Sequence, residues 1–212
     1  IPIAIASAMA SAILPSIAGS FATKNKKEVN RKIKTAIKTI MFLAIPSAVG
    51  MTVLAKPIVW LLYPGISANN IALGGWLLAA LGASTVFYTL STLSNSILQA
   101  VGKQGKPVVN AAVALAVEAA VATLLLVYTN LGIYSLPVAV TVYSFLICLF
   151  NGYSVKKATG YRQEVVNTFL LPFWASLIMG IVAAGTYYGF SALFENAGYA
   201  VNAAGLLLSV GL

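Results

Sequence analysis

Seven stretches of this chain, about 1–22, 39–63, 71–101, 107–128, 131–155, 165–190 and 198–212, run almost without a charged side chain. A helix needs roughly 20 mostly apolar residues to cross a bilayer, so seven spans are expected, the last of them cut short. Hydrocarbon offers no water to the backbone, which leaves helices or closed barrels as spanning structures. The alternating segments of about ten residues that mark a barrel are absent. The expected fold is therefore all-α and polytopic. Composition agrees: 60% of residues are hydrophobic and only 8% charged, against about 25% charged in a soluble domain. Mean hydropathy is +0.92.

The few charges are sorted by side. Lys24, Lys26, Lys27, Arg31, Lys32, Lys34 and Lys38 follow the first span, Lys103 and Lys106 the third, and Lys156, Lys157 and Arg162 the fifth. Of the chain's 13 basic residues only Lys56 falls elsewhere. The alternate loops, PGISANN, TNLGIYS and FENAGY, hold none. Lys and Arg collect on the cytoplasmic side of membrane proteins, so the basic loops are expected to be cytoplasmic. The net charge of +9 then reflects topology and attraction to anionic headgroups, and no nucleic-acid partner is expected.

The basic loop runs into a two-faced helix. Val29, Ile33, Ala36, Ile37 and Ile40 fall on one side by their spacing, and Lys27, Arg31, Lys34 and Lys38 on the other. Such a helix is suited to lie along the inner headgroup layer before turning into the membrane. Those four cations are the candidate headgroup contacts.

Catalytic chemistry is nearly excluded. The chain has no histidine, one cysteine (Cys148) and four carboxylates, Glu28, Glu118, Glu164 and Glu195. No disulfide framework, Cys/His metal cluster or His-dependent triad can be assembled, and no cofactor is expected.

Polar groups at membrane depth are the remaining clues to a site. In the third span Ser84, Tyr88, Ser91, Asn95 and Gln99 fall within roughly 80° of a 3.6-residue helix, opposite Val86, Leu90, Leu93 and Ile97, a face suited to lipid. Thr141, Ser144, Cys148 and Asn151 repeat the pattern more weakly in the fifth span. The stripe either hydrogen-bonds neighbouring helices or lines a hydrated transport cavity. Glu118, about twelve residues into the fourth span, is an ion-coupling candidate; the alternative is a protonated glutamate bonded to another helix. Pro15, Pro46, Pro137 and Pro172 are candidate kinks.

Several stretches together resemble the multidrug/oligosaccharidyl-lipid/polysaccharide exporter superfamily, on its polysaccharide-export, stage V sporulation protein B and MurJ-like lipid II flippase branch. They are ILPSIAGSFATKNKKEVNRKI, AIPSAVGMTVLAKPIVWLLYP, LSNSILQAVGKQGKPVVNAAVALAVE, LGIYSLPVAVTVYSFLICLFNGY and PFWASLIMGIVA, in this order across nearly the whole chain. The resemblance implies a fold of fourteen helices in two lobes around a cavity. Residues 1–212 would form one transmembrane lobe, the carboxy-terminal one, as a fragment of a longer chain.

The resemblance further implies alternating access in a bacterial cytoplasmic membrane. A polyprenyl-linked glycan would cross by its headgroup, with the tail in a groove formed by the last two spans. The missing amino-terminal lobe and membrane lipids are the implied partners. Two features depart from the flippase pattern: a carboxylate at 118, and no basic residue within these spans to meet a pyrophosphate. A drug/cation antiporter of the same fold and a non-transporting membrane scaffold stay open beside the flippase.

Overall fold

The computed structural model describes residues 2–164, 166–193 and 199–211, which form helices and turns without a strand among them. In chain order the helices are α1 (Pro2–Ala22), α2 (Lys26–Val53), α3 (Ala55–Leu62), α4 (Ala68–Ala100), α5 (Gly105–Tyr128), α6 (Ser135–Thr159), α7 (Leu171–Leu193) and α8 (Tyr199–Gly211). A 3₁₀ turn (Gly132–Tyr134) leads into α6 and a π turn (Val166–Leu170) into α7. Among the described residues six segments are long and apolar enough to cross a membrane. The protein is an all-α, multi-pass membrane protein. The last expected span appears as α8, with 13 described residues. The connection before it, including Glu195, lies outside the described residues.

The basic two-faced stretch and the span after it are one element. Asn25 caps α2, its side chain accepting from the Glu28 N–H at 3.2 Å, and the helix runs 28 residues to Val53. A break at Leu54 separates it from α3. Val29, Ile33, Ala36, Ile37 and Ile40 do share a face, but that face does not meet headgroups. Each is at most 3% exposed, packed in one core with Ile17 of α1 and Leu93, Ile97 and Leu98 of α4. Two-sidedness reports a face that avoids water; in a membrane protein other helices satisfy it as well as lipid does.

The same correction applies to α4, which packs against α1, α2, α3 and α6 and is the central helix. Its apolar face was expected to meet lipid. Instead Leu93 and Ile97 are fully buried, with Val86 and Leu90 packed against them.

Glycines set how closely the backbones approach. A Cβ on Gly75 of α4 would stand 3.1 Å from Lys56 Cα in α3, and one on Gly82 would stand 3.3 Å from Met51 Cβ in α2. Thr52 Oγ1, which donates to Ala48 O at 2.8 Å, also lies 3.3 Å from Ala79 O across that contact. Small residues at such crossings are the usual means of close packing where lipid tails remove the hydrophobic drive between helices.

Pro137 is in the first turn of α6, where a missing N–H matters least, and Pro172 stands where the π turn Val166–Leu170 passes into α7. Pro15 and Pro46 lie inside α1 and α2.

The packing yields a pair of opposite effects. Gly75→Ala should lower the protein's stability by about 1–3 kcal/mol through overpacking against the α3 backbone. Gly19→Ala, with open space around the added methyl, should be neutral or stabilising by up to about 1 kcal/mol. Thermal unfolding of the two purified variants in detergent checks both signs.

Candidate functional site

The polar residues of α4 divide into a paired group and an open group. Asn151 of α6 is 0% exposed. Its Nδ2 donates to Ser91 Oγ at 2.9 Å and to Asn95 Oδ1 at 2.7 Å on α4. Its Oδ1 accepts from Asn110 Nδ2 of α5 at 2.9 Å, and Asn110 also donates to Ser154 Oγ at 3.0 Å. Three helices are thus joined by one amide network, in which both hydrogens of each donating Nδ2 group are engaged.

Asn110 and Ser154 were not among the residues singled out from the sequence. Asn110 is the one uncharged polar side chain between Lys106 and Glu118, which was a usable signal. Ser154 lies three residues after Asn151, so it shares a helical face with it.

Ser84 is buried and donates to Leu81 O at 2.8 Å. Ser144 of α6 is likewise buried and bonded to Thr141 O at 2.9 Å. Neither is available to a ligand.

The rest of the stripe remains uncovered. Tyr88 and Gln99 are exposed, Asn95 is half-buried, and Thr85, Thr92 and Ser96 beside them are also half-buried. The three hydroxyls donate to backbone carbonyls one turn back, but they still present oxygen to this face. At 100° per residue these six positions occupy one contiguous side of α4. Leu93, Ile97 and Leu98 pack on the others. The only broad face of the central helix that its neighbours leave uncovered along 85–99 is therefore polar.

Glu118 stands beside this face. It is half-buried on α5 and within electrostatic reach of Tyr143 of α6. The Tyr143 ring in turn lies 6.4 Å from that of Tyr88. Among the described residues Glu118 has no ion pair, whereas Glu28 is held by Arg31 at 2.6 Å and Glu164 by Lys34 at 2.6 Å.

Lys27, Arg31, Lys34 and Lys38 are exposed on α2. Lys32 Nζ reaches back to α1, donating to Ser20 Oγ at 2.7 Å and to Ser16 O at 3.0 Å. Among the described residues no group of His, Cys, Asp and Glu could hold a metal ion.

The amide network has a measurable weight. Asn151→Leu leaves Ser91, Asn95 and Asn110 without their shared partner. At about 0.6 kcal/mol per interhelical bond, the variant should lose on the order of 2 kcal/mol. A double-mutant cycle between Asn110→Ala and Asn151→Ala should give a coupling well above zero, read as non-additive shifts in unfolding.

Comparison with known proteins comes to the same kind of molecule. The family model described as lipid II flippase MurJ matches residues 1–208. A curated relative, the lipid II flippase MurJ of Bacillus subtilis (strain 168), is 28% identical over 188 residues, 85% of this chain and 33% of its own length. The chain thus spans about a third of that relative.

Proposed function

The chain belongs to the MurJ family, and from that membership we propose that it is the carboxy-terminal lobe of a flippase for a lipid-linked cell-wall precursor of the lipid II kind. The observation that carries this reading is the uncovered polar face of α4. An amide and a phenol turned to hydrocarbon would be costly, so Tyr88 and Gln99 face a hydrated space. A central helix with its polar side open is what one wall of a headgroup passage requires.

In this reading the glycan and its diphosphate cross along Tyr88, Thr92, Asn95, Ser96 and Gln99, while the polyprenyl tail stays in lipid. The outer surface of α7 suits the tail, with Ile178, Ile181 and Val182 exposed, and α8 adds Leu207. The opposite wall comes from the part of such proteins that this chain does not span, which also supplies the cations for the diphosphate. The two lobes rock to give alternating access, and no covalent step or cofactor is involved. The basic loops lie on the cytoplasmic side of the bacterial membrane by the distribution of Lys and Arg.

The unpaired Glu118 favours one further element, coupling to a cation or proton. It would bind the ion when ionised and release it when α5 and α6 change their separation. The same residue is what a drug/cation antiporter would use.

The test is made in cells whose other flippases have been removed. After depletion of the protein, labelled lipid-linked precursor should cease to be accessible to an external probe, and the wild-type gene should restore it. Gln99→Leu together with Tyr88→Leu should restore it at least tenfold less well. Glu118→Gln should also fail if coupling runs through that carboxyl. Unchanged accessibility accompanied by altered dye efflux would replace the flippase with the antiporter, and full rescue by the Tyr88/Gln99 variant would remove the passage from this face.

A further inference from the structure

A second polar site lies apart from the open face of α4, where the α4–α5 turn and the ends of α5 and α6 meet. It is a cleft of about 370 Å³, into which Lys103, Lys106 and Lys157 converge above Asn110 and Ser154, with Tyr153 at its side.

Local structure fixes this convergence. α4 ends in a Schellman turn: the Lys103 N–H donates to Leu98 O at 2.8 Å and the Gly102 N–H to Gln99 O at 3.0 Å, with Gly102 at φ +71°. The Lys106 N–H then bonds Lys103 O at 3.0 Å, so the two lysines are held three residues apart around the start of α5. Lys157 is in the last turn of α6, which closes at Gly160 with φ +75°.

Charge balance suits the cleft to an anion. Of the four carboxylates, Glu28 and Glu164 are engaged by Arg31 and Lys34, Glu118 lies deep in α5, and Glu195 is outside the described residues. No carboxylate lines the cleft, and among the described residues none of its three lysines has an ion pair. The floor adds a neutral donor. Ser154 Oγ accepts from Asn110, and among the described residues its own hydrogen has no acceptor. Three ammonium groups and a free hydroxyl match the oxygens of a phosphate. The lipid-facing flank of α5 rises directly from this point, with Val108 69% and Val109 60% exposed.

We propose that the cleft formed by Lys103, Lys106, Lys157 and Ser154 binds a phosphate group, with the apolar flank of α5 receiving the chain of whatever lipid carries it. The site is independent of the molecule that the α4 face handles.

The test is native mass spectrometry of the purified protein in detergent micelles, titrated with phosphatidylglycerol, phosphatidylcholine or inorganic pyrophosphate. One phosphatidylglycerol should bind in preference to phosphatidylcholine. The triple variant Lys103→Gln/Lys106→Gln/Lys157→Gln should weaken it on the order of a hundredfold, roughly fivefold per lysine. The control Lys24→Gln/Lys26→Gln/Arg162→Gln removes equal charge outside the cleft and should change it less than threefold. Pyrophosphate that binds alone and displaces the lipid would make the ligand a soluble phosphate at this site. Lipid binding that pyrophosphate cannot displace would make it a headgroup. Equal losses in both triple variants, or none in the first, would overturn the site and leave the lysines with a topological role only.

Discussion

A side-chain amide in hydrocarbon has only the protein to bond with, and the arrangement of α4, α5 and α6 follows from that constraint at Asn151. Its two donors and its acceptor are all engaged, by Ser91, Asn95 and Asn110. To meet them, α6 must lie along one side of α4 and α5 must come to α6. The α4–α6 pairing in turn leaves the opposite side of α4 to α1 and α2, whose apolar faces fill it. The polar sector between these two contacts is what remains open. Removing one amide would therefore disturb more than one bond, since it fixes the rotation of the central helix and so decides which residues face outward.

Hydroxyls behave differently from amides here. Ser47, Thr85, Thr92 and Thr123 each donate to the carbonyl four residues earlier, a bond any serine or threonine in a helix can make. Such residues are satisfied wherever they sit, so they say little about what their face meets. Asn95, Asn110, Asn151 and Gln99 cannot close on their own helix so simply. Three of these four are consumed between helices, and the fourth lies on the exposed face. Amides are thus the informative polar residues of this chain.

Much of this was legible in the sequence. Long apolar runs identified the helical spans, because length and hydropathy alone decide whether a helix can cross a bilayer. Faces were legible too, though their destinations were not. Val29, Ile33 and Ile37, like Leu93 and Ile97, form apolar sides as their spacing requires, yet they meet protein where headgroups and lipid had been expected. Lipid tails and aliphatic side chains are equally apolar, so periodicity carries no mark that separates core from bilayer. Ser84, Ser91 and Asn151 could not be told from Tyr88 and Gln99 for the same reason: only the partner helix decides which polar residues are covered. Asn110 was overlooked because it belongs to no stripe; it acts singly, from the start of α5.

α5 stands apart from the other long helices. α1, α2 and α4 share one buried core, and α6 packs along α4. α5 leans almost wholly on α6, and its far end carries Val127 and Tyr128 at 68% and 80% exposure. It is the least covered of the six spans among the described residues. Glu118, halfway along it, is thus carried by a helix whose outer sides are left open to whatever surrounds the protein.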